Sequence, residues 1–267
     1  MKPMLAMDYK KRGHNIVYPA FVQPKLDGVR CIATRTGDKI KYTSREENEF
    51  TAVSHLTPHL LRLMRDGDSW DGELYTKQLT FQEIVSAVKR NKTINPDTKK
   101  IEYWVYDCVM KDGFEIRHMY VDACIKNGGP IKPVPTILVN TEADMLACHK
   151  VMLQKGYEGT IIRNIYGLYV PKRTKDLQKY KDMVDDEFTI IGGKEGEGKD
   201  KGCIVFICKT KEGKEFDCRP NGEYERRERW YQVRNKLIGK QLTVQYQGFT
   251  DEGKPRFPIG LTIRDYE

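Results

Sequence analysis

The sequence predicts an α+β fold in two parts: a larger domain of antiparallel sheets with flanking helices, followed by a small all-β domain. Up to an acidic run at 182–187, β-branched or alternating segments are interspersed with segments of helical spacing. After that run, short strand-like segments are separated by glycine-rich turns, with one helical segment among them. We place the boundary near residue 184, which gives domains of 1–184 and 185–267.

In the first domain, an extended segment is followed by a turn at Asp27-Gly28, and Gly37-Asp38 predicts a hairpin turn. Thr141 is the predicted cap of the third helix and Gly156 its end. The predicted helices cover residues 53–64, 80–90 and 142–155. The predicted strands cover residues 29–34, 39–43, 69–75, 101–110, 160–164 and 177–181.

In the second domain, five short strands and one helix occupy roughly eighty residues. This pattern is typical of a small barrel of the oligonucleotide-binding (OB) type. The predicted helix covers residues 224–236. The predicted strands cover residues 188–192, 203–209, 215–218, 240–247 and 259–263.

The composition favours a polyanion as partner. Among 267 residues, 46 Lys and Arg oppose 38 Asp and Glu, a formal charge of +8 spread over the chain. A basic surface binds nucleic acid through phosphate contacts and counterion release, although charge alone fits a merely soluble basic protein equally well. The seven cysteines include no Cys-x-x-Cys pair, so we expect reduced thiols and no zinc site. Without a signal-like or membrane-spanning run, we expect a cytoplasmic protein with no membrane partner.

One lysine is a candidate nucleophile, in the run Lys25-Leu26-Asp27-Gly28-Val29-Arg30. An amine held by a tight turn at the mouth of a sheet can attack a phosphorus or carbonyl centre, although this run taken alone is better explained as an ordinary turn with solvated charges. A free lysine titrates near pH ~10.4, so a neutral amine at pH 7 costs roughly 4–5 kcal/mol. Neighbouring cations or a metal lower that cost. The site therefore needs more positive charge than Asp27 cancels.

Six further motifs follow this run along the chain. Each is weak on its own, whereas the ordered set is a strong signal. In chain order they are Thr43-Ser44-Arg45, Asp71-Gly72-Glu73-Leu74, Glu102-Tyr103-Trp104-Val105-Tyr106-Asp107, Glu158-Gly159-Thr160-Ile161-Ile162-Arg163, Leu177-Gln178-Lys179-Tyr180-Lys181, and Pro255-Arg256-Phe257-Pro258 with Ile263-Arg264-Asp265.

This ordered set resembles the covalent nucleotidyltransferases, and specifically the small ATP-dependent DNA ligases. The resemblance covers most of the chain and implies a nucleotidyltransferase (adenylation) domain followed by an OB-fold domain. It implies an enzyme that seals 5′-phosphate/3′-hydroxyl nicks in duplex DNA through a lysyl-AMP intermediate and a DNA-adenylate. The implied cofactors are ATP and Mg²⁺, the implied partner is nicked duplex DNA, and we expect a monomer. The compact size is reminiscent of viral, phage or bacterial accessory ligases.

The resemblance also implies roles for individual residues. Lys25 is the implied nucleophile, which becomes adenylated, and Glu73 and Glu158 are the implied metal ligands. Arg256 and Arg264 of the OB domain would approach the pyrophosphate in the first step. The implied ATP- and AMP-binding residues are Gln23, Lys25, Arg30, Arg45, Glu73, Tyr106, Glu158, Lys179 and Lys181.

Strand geometry agrees with two of these assignments. Lys179 and Lys181 are two positions apart on a predicted strand, so both face the same way and can meet one triphosphate. Tyr180 between them would face the core. The pair supplies the positive field that Lys25 requires. The two glutamates each adjoin a glycine at a strand end, and a few carboxylates plus substrate phosphates are the usual ligands of Mg²⁺.

Other assignments have a competing explanation. Tyr103 or Trp104 would replace Tyr106 as the adenine-stacking ring if the strand register is shifted. Arg45 lies among three glutamates, so a surface salt bridge is an alternative role. The two lysines at 179 and 181 lie in a lysine-rich stretch that could instead be part of a DNA-facing patch.

The competing activities are an RNA ligase, an mRNA-capping guanylyltransferase and a catalytically inactive nucleic-acid-binding module. The run Pro255-Arg256-Phe257-Pro258 resembles DNA ligases more than the other two enzymes. Two features depart from the family pattern. The chain ends Arg264-Asp265-Tyr266-Glu267, without the terminal lysine of many members. Residues 192–202 form only a short insertion, where larger minimal ligases carry a long clamp loop.

Overall fold

The computed structural model describes residues 1–89 and 95–264, which form two units, Met1–Tyr180 and Lys181–Glu267. The elements of the first unit are β1 (Leu5–Asp8), α1 (Tyr9–Arg12), β2 (Ala20–Lys25), β3 (Val29–Thr36), β4 (Lys39–Thr43), α2 (Thr57–Leu63), β5 (Ser69–Tyr75), α3 (Phe81–Lys89), β6 (Glu102–Cys108), α4 (Phe114–Cys124), β7 (Ile131–Pro133), β8 (Ile137–Val139), α5 (Glu142–Gln154), β9 (Gly159–Asn164) and β10 (Arg173–Tyr180). Short 3₁₀ turns lie at Gly13–Asn15, Ser54–Leu56 and Pro96–Lys100.

Two five-stranded sheets organise the first unit. One has the strand order β1-β10-β9-β2-β8 and the other β4-β3-β5-β6-β7. Neighbouring strands are antiparallel except for the pairs β1–β10 and β6–β7 at the sheet edges. The predicted arrangement of antiparallel sheets with flanking helices is confirmed.

Each sheet buries one face against helices. Behind the first sheet, Val22 and Ile162 pack with Met145 and Met152 of α5. Behind the second sheet, Trp70 and Tyr103 lie in a larger apolar cluster that includes residues of α2, α3 and α4. The opposite faces of these strands are left for polar side chains, which is where the site residues lie.

Several predicted boundaries agree closely with the structure. The strands at 39–43 and 69–75 coincide with β4 and β5. In α5, Thr141 and Asp144 form a reciprocal capping box, and Gly156 follows the helix with a φ of +81°. The left-handed conformation at Gly156 is one that glycine adopts without steric cost, so the predicted helix end is confirmed.

Other elements differ from the predictions. The helix predicted at 53–64 starts as a 3₁₀ turn, and only Thr57–Leu63 is α-helical, with proline in its first turn. Position 90 of the helix predicted at 80–90 lies outside the described residues. Helix α4 was not predicted, because Arg117 occupies a buried position on it and interrupts the apolar spacing. Strand β10 begins earlier than predicted and ends at Tyr180, one residue before Lys181.

The second unit is a closed barrel of five strands in the order β11-β12-β13-β15-β14. Its core contains Phe188, Phe206, Leu242 and Val244. The predicted small barrel with one helix is confirmed. Its elements are β11 (Val184–Glu195), β12 (Ile204–Lys209), β13 (Glu215–Pro220), α6 (Tyr224–Gln232), β14 (Gln241–Tyr246) and β15 (Ile259–Arg264), with 3₁₀ turns at Gly198–Asp200 and Arg234–Leu237.

All seven cysteines lie in the described ranges and all are free thiols, as predicted. None of the helices described is both long enough and apolar enough to cross a membrane.

Candidate active site

Strand register brings three predicted site residues to one face of the first sheet. Lys25 pairs with Gly159, whereas Gln23 and Lys179 both pair with Ile161 from opposite sides of β9. Because directly paired residues share a face, Gln23, Lys25 and Lys179 project to the same side. Tyr180 projects to the other side.

Lys25 ends β2 and forms an ion pair with a predicted metal ligand. Its Nζ donates a hydrogen bond to Oε2 of Glu158, and the backbone N–H of Glu158 donates to the carbonyl oxygen of Lys25 at 3.1 Å. The Lys25 side chain is 23% exposed and that of Glu158 is 9% exposed. The amine is therefore held at a strand end yet remains open to a ligand.

Glu73 lies on the second sheet, opposite Arg30 of β3 and Trp104 of β6. A β-bulge between Asp71 and Gly72 leaves Tyr106 without a direct partner on β5. The Tyr106 hydroxyl lies 3.5 Å from Oε2 of Glu73, to which it donates. The bulge thus aims the Tyr106 ring and the Glu73 carboxylate toward each other.

Gly28 holds the turn after Lys25 close to the strand that carries Glu73. A Cβ atom at Gly28 would lie 2.5 Å from the carbonyl oxygen of Leu74 and 2.8 Å from Cγ of Glu73. Real Cβ atoms are not found this close to backbone oxygens, so only glycine permits the approach. Gly28 therefore allows the turn after the candidate nucleophile Lys25 to pack against the strand of the candidate metal ligand Glu73.

Burial raises the pKa of Glu73 from 4.5 to about 7, with Lys25 and Arg30 opposing the shift and Asp71 adding to it. Near neutral pH this side chain is therefore divided between the acid and the carboxylate. A cation bound beside it would favour the carboxylate.

The pKa of Glu73 predicts a pH-dependent stability. The folded chain binds this proton more tightly than the unfolded chain, so the free energy of unfolding should fall as pH rises from about 4.5 to about 7. In Glu73→Gln, which cannot titrate, we expect this contribution, at most about 3 kcal/mol, to be absent. Urea denaturation of both proteins across this pH range measures it. Glu49→Gln, at an exposed glutamate, is the matched control; parallel curves for wild type and Glu73→Gln would contradict the assignment.

The aromatic strand β6 presents Tyr106 to the site. The centroid of its ring lies 5.5 Å from the guanidinium carbon of Arg30 and 5.7 Å from that of Arg163. Tyr103 is fully buried in the core, and its hydroxyl donates to the carbonyl oxygens of Cys31 and Trp70. Register therefore argues against Tyr103 as the stacking ring, whereas Trp104 is paired with Glu73 and, like Tyr106, stays a candidate.

A buried ionic network lies next to Tyr106 and contacts its backbone. Asp107 accepts from Arg117 Nε at 2.7 Å and from Arg163 Nη1 at 2.6 Å, and all three side chains are at most 3% exposed. Arg163 also donates to Oε1 of Gln23 at 2.8 Å, and Nε2 of Gln23 donates to the carbonyl oxygen of Tyr106 at 3.2 Å. Through Gln23 and Arg163, the network thus links the first sheet to Tyr106 and Asp107 on β6 of the second sheet.

Sequence reasoning missed this network. Asp107 and Arg163 lie within quoted motifs, but no role was predicted for them. Arg117 lies outside every motif. Charged residues are ordinarily exposed, and no spacing rule indicates which of them pair in a core.

A second missed group orients Arg30. Its Nε donates to Oδ1 of Asp71 at 3.0 Å and its Nη2 to Oδ2 at 2.5 Å. Tyr169 donates a third hydrogen bond to Oδ2 at 2.8 Å. Arg30 is therefore fixed by a two-point contact with a buried carboxylate, the geometry for which a planar guanidinium is suited.

Positive charge surrounds Lys179. Burial lowers the pKa of Lys179, and Lys25, Arg173 and Arg45 lower it further, against an opposing effect of Asp8. Arg45 also approaches Glu46 at 3.6 Å at the surface, so the salt bridge considered as its alternative role is present as well. Lys179 and Lys25 therefore act electrostatically on one another, which places Lys179 near the amine whose chemistry would require positive charge.

The remaining predicted residues belong to the second unit. Lys181 follows β10; its Nζ donates to Oε1 of Gln247 at 3.1 Å and lies 5.5 Å from the ring centroid of Phe257. Arg256 lies over the same ring at 5.6 Å, and Arg264 donates to Glu187 at 3.1 Å. Asp265 of the last motif lies outside the described residues. The roles of Lys181 and the two arginines at the phosphates stay predictions.

Comparison with known proteins agrees with this geometry. Residues 3–181 match the model of the family described as ATP dependent DNA ligase domain, and residues 195–264 match that of the DNA ligase OB-like domain. The chain belongs to the ATP-dependent DNA ligase family. The first of these two matches spans every predicted site residue of the sheets, and the second includes both predicted arginines of the barrel.

This ligase-family chain is similar to a DNA ligase of African swine fever virus, with 30% identity over 266 residues that cover 91% of this chain and 62% of the relative. The chain therefore spans about three fifths of that relative. It is 24% identical over 331 residues to the DNA ligase of Enterobacteria phage T4, covering 98% of this chain and 68% of the relative. A solved structure from a study of Lig E DNA ligases has a TM-score of 0.83 at 21% identity, covering 99% of both chains, and shows the same fold.

In this ligase-family chain, Glu73 and Glu158 fit a divalent metal ion whose other ligands come from a substrate. Within residues 1–89 and 95–264, no group of three or more His, Cys, Asp or Glu is arranged to hold a metal ion. Glu158 is paired with Lys25, and Lys25 acts electrostatically on Glu73, so both carboxylates lie around the same amine. Two carboxylates completed by phosphate and water oxygens suit Mg²⁺.

Proposed function

We propose that the chain is an ATP-dependent DNA ligase that seals 5′-phosphate/3′-hydroxyl nicks in duplex DNA. The observation that carries this proposal is the Lys25–Glu158 pair at the end of β2, with Glu73 and Tyr106 beside it. An amine flanked by two carboxylates, a cationic field and an aromatic ring has the parts needed to attack a nucleotide. Membership in the ligase family supports the choice of substrate.

In the first step, the amine of Lys25 attacks the α-phosphorus of ATP. The nitrogen–phosphorus bond forms, the bond to pyrophosphate breaks, and the chain carries a lysyl-AMP. Oε2 of Glu158 already accepts a hydrogen bond from this amine and is placed to take its proton. Mg²⁺, held by Glu73 and Glu158, would neutralise charge on the phosphates when bound.

Cations around the triphosphate stabilise the charge that accumulates in the transition state. In the first unit this role falls to Lys179 and Arg45, whose charges act on one another. We assign Lys181, Arg256 and Arg264 to the same departing pyrophosphate. Tyr106 stacks on the adenine, held in place by Arg30 and Arg163.

In the two later steps, AMP moves from Lys25 to the 5′-phosphate at a nick, and the 3′-hydroxyl then displaces AMP. Residues 1–184 would act as the adenylation domain and residues 185–267 as the OB domain. The net charge of +8 favours a DNA backbone as partner. We expect the protein to act as a monomer in the cytoplasm, where its seven free thiols stay reduced.

A panel of nicked duplexes tests this function. Wild-type protein should seal a DNA nick with ATP and Mg²⁺, and sealing should fall strongly when the sugars flanking the break are changed to ribose or when GTP replaces ATP. Preferential sealing of RNA would show an RNA ligase instead, and adduct formation with GTP would show a guanylyltransferase. Absence of pyrophosphate release with either nucleotide would show an inactive binding module.

A further inference from the structure

A pocket opens on the side of the first sheet away from Lys25. Its volume is about 570 Å³, within the range of sites that hold small ligands. Its lining includes Tyr9, Tyr18 and Tyr180 together with Lys10, Lys11 and Glu142. Neither the ligation chemistry nor the motifs of the sequence assign a role to this pocket.

Strand register separates this pocket from the catalytic face. Tyr180 pairs with Thr160 on β9, one position away from the Lys179–Ile161 pair, so its side chain projects to the opposite face of the sheet. There its ring meets Tyr9 at 5.7 Å and His149 at 4.6 Å, both edge-on. The sheet itself therefore lies between this pocket and Lys25.

Three tyrosine rings contribute to the lining of the pocket. Tyr18 and Tyr180 are only partly buried, so their rings are accessible from the pocket. Tyr9 is 7% exposed, and its ring packs against Gly13, where a Cβ atom would lie 3.1 Å away. Partly exposed rings on a rigid support are what a nucleobase stacks on.

The polar groups of the pocket are divided by charge. Lys10 and Lys11 are exposed and supply two cations, and Lys10 Nζ lies 5.5 Å from the Tyr180 ring centroid. Glu142 Oε1 accepts from the Tyr9 hydroxyl at 2.9 Å, and Tyr9 and Tyr18 share a further hydrogen bond at 3.0 Å. Burial raises the pKa of Tyr9 and of Tyr18, so both hydroxyls stay neutral. A ligand that is anionic along its whole length would be repelled by the Glu142 carboxylate. A ligand with one anionic end and one aromatic end fits both the lysines and the tyrosine rings.

We propose that this pocket binds one unpaired nucleotide, with its base against Tyr18 and Tyr180 and its phosphate on Lys10 and Lys11. Glu142 then faces the base, where a carboxylate can accept a hydrogen bond from an exocyclic amine such as that of cytosine. The nucleotide is free in solution or part of a single strand. The proposal concerns a site separate from the catalytic centre and does not require the chain to seal nicks.

Fluorescence anisotropy with labelled hexadeoxycytidylate tests this site. Tyr18→Ala should weaken binding about 10-fold, because a stacking ring is lost. Lys10→Glu with Lys11→Glu should weaken it at least as much and flatten the log–log dependence on salt by about 0.7, the value for one neutralised phosphate on a single strand. The matched controls are Tyr166→Ala, at a tyrosine that is 82% exposed, and Lys111→Glu with Lys126→Glu; both should bind as wild type.

Competition distinguishes the sources of the nucleotide. Displacement of the probe by CMP at similar concentrations of nucleotide identifies a free nucleotide as a ligand, and displacement by unlabelled oligomer alone identifies a strand. Displacement by inorganic pyrophosphate as effectively as by CMP would overturn the proposal, because the site would then be a simple anion patch. Equal binding by Tyr18→Ala and Tyr166→Ala would also overturn it. Lys25→Ala should leave binding unchanged, and a loss there would assign the probe to the catalytic centre instead.

Discussion

Lys25→Ala is expected to abolish the covalent AMP adduct and to lower nick sealing by at least about 10³-fold, a loss of the size that follows removal of a catalytic nucleophile. The adduct is measured directly, by incubating the protein with ATP labelled at the α-phosphate and separating it under denaturing conditions. Because the Lys25 side chain is partly exposed at a strand end, the truncation should leave the fold intact. A labelled band of wild-type intensity in this variant would rule out Lys25 as the nucleophile.

Lys25→Arg separates the chemical role of this residue from its structural role. Arginine keeps the positive charge beside Glu158 but stays protonated at every accessible pH, so it cannot attack phosphorus. We expect this variant to be as inactive as the alanine variant while it retains the thermal stability of wild type. Lys175→Ala, at an exposed lysine of β10, is the matched control and should form the adduct normally.

Asp107→Ala is expected to lower the free energy of unfolding by about 3–5 kcal/mol, because it leaves two buried guanidinium groups without their counter-charge. Arg117 and Arg163 are 0% and 3% exposed, so water cannot replace the lost carboxylate. Affinity for ATP should fall in parallel, since Arg163 supports the ring of Tyr106.

Denaturation followed by tryptophan fluorescence measures the stability of this variant. Trp70 and Trp104 report on the first unit, and a Trp230→Phe background removes the signal of the second unit. The control is Asp112→Ala, at an exposed aspartate just before α4, the helix that carries Arg117. This substitution should change the free energy of unfolding by less than about 0.5 kcal/mol. Similar losses in both variants would show that the buried network contributes little.

Sequence patterns were sufficient where one physical signal dominated. The alternation in β4 and β5 and the capping box of α5 each depend only on residues close together in the chain. The sequence therefore predicted the bounds of both strands and the cap of the helix correctly. The barrel followed from short strands and glycine-rich turns. Spacing also predicted correctly that Tyr180 faces away from Lys179 on β10, whereas Lys181, predicted on the same strand, lies beyond its end.

Patterns were insufficient where distant residues decide the outcome. Arg117 reads as a surface residue because its partner Asp107 is reached only by folding α4 onto β6. The bulge that frees Tyr106 depends on Gly72, where a Cβ atom would lie 2.5 Å from the carbonyl oxygen of Trp104. Neither contact leaves a periodic mark in the sequence. The sequence therefore predicted the charged residues of the candidate site but not the buried groups that orient them.

The parallel pairing of β1 with β10 bears on how the chain is made. Leu5 pairs with Arg173 and Asp8 with Lys179, so the first strand waits for nearly the whole unit to leave the ribosome. Bacterial and eukaryotic ribosomes add about 5–20 residues per second, which corresponds to a wait of about 10–30 s. During that interval both edges of β1 lack a strand partner, and their unsatisfied backbone groups can pair with other nascent chains. Chaperone binding to β1, or slow translation before residue 173, should therefore change the yield of folded protein.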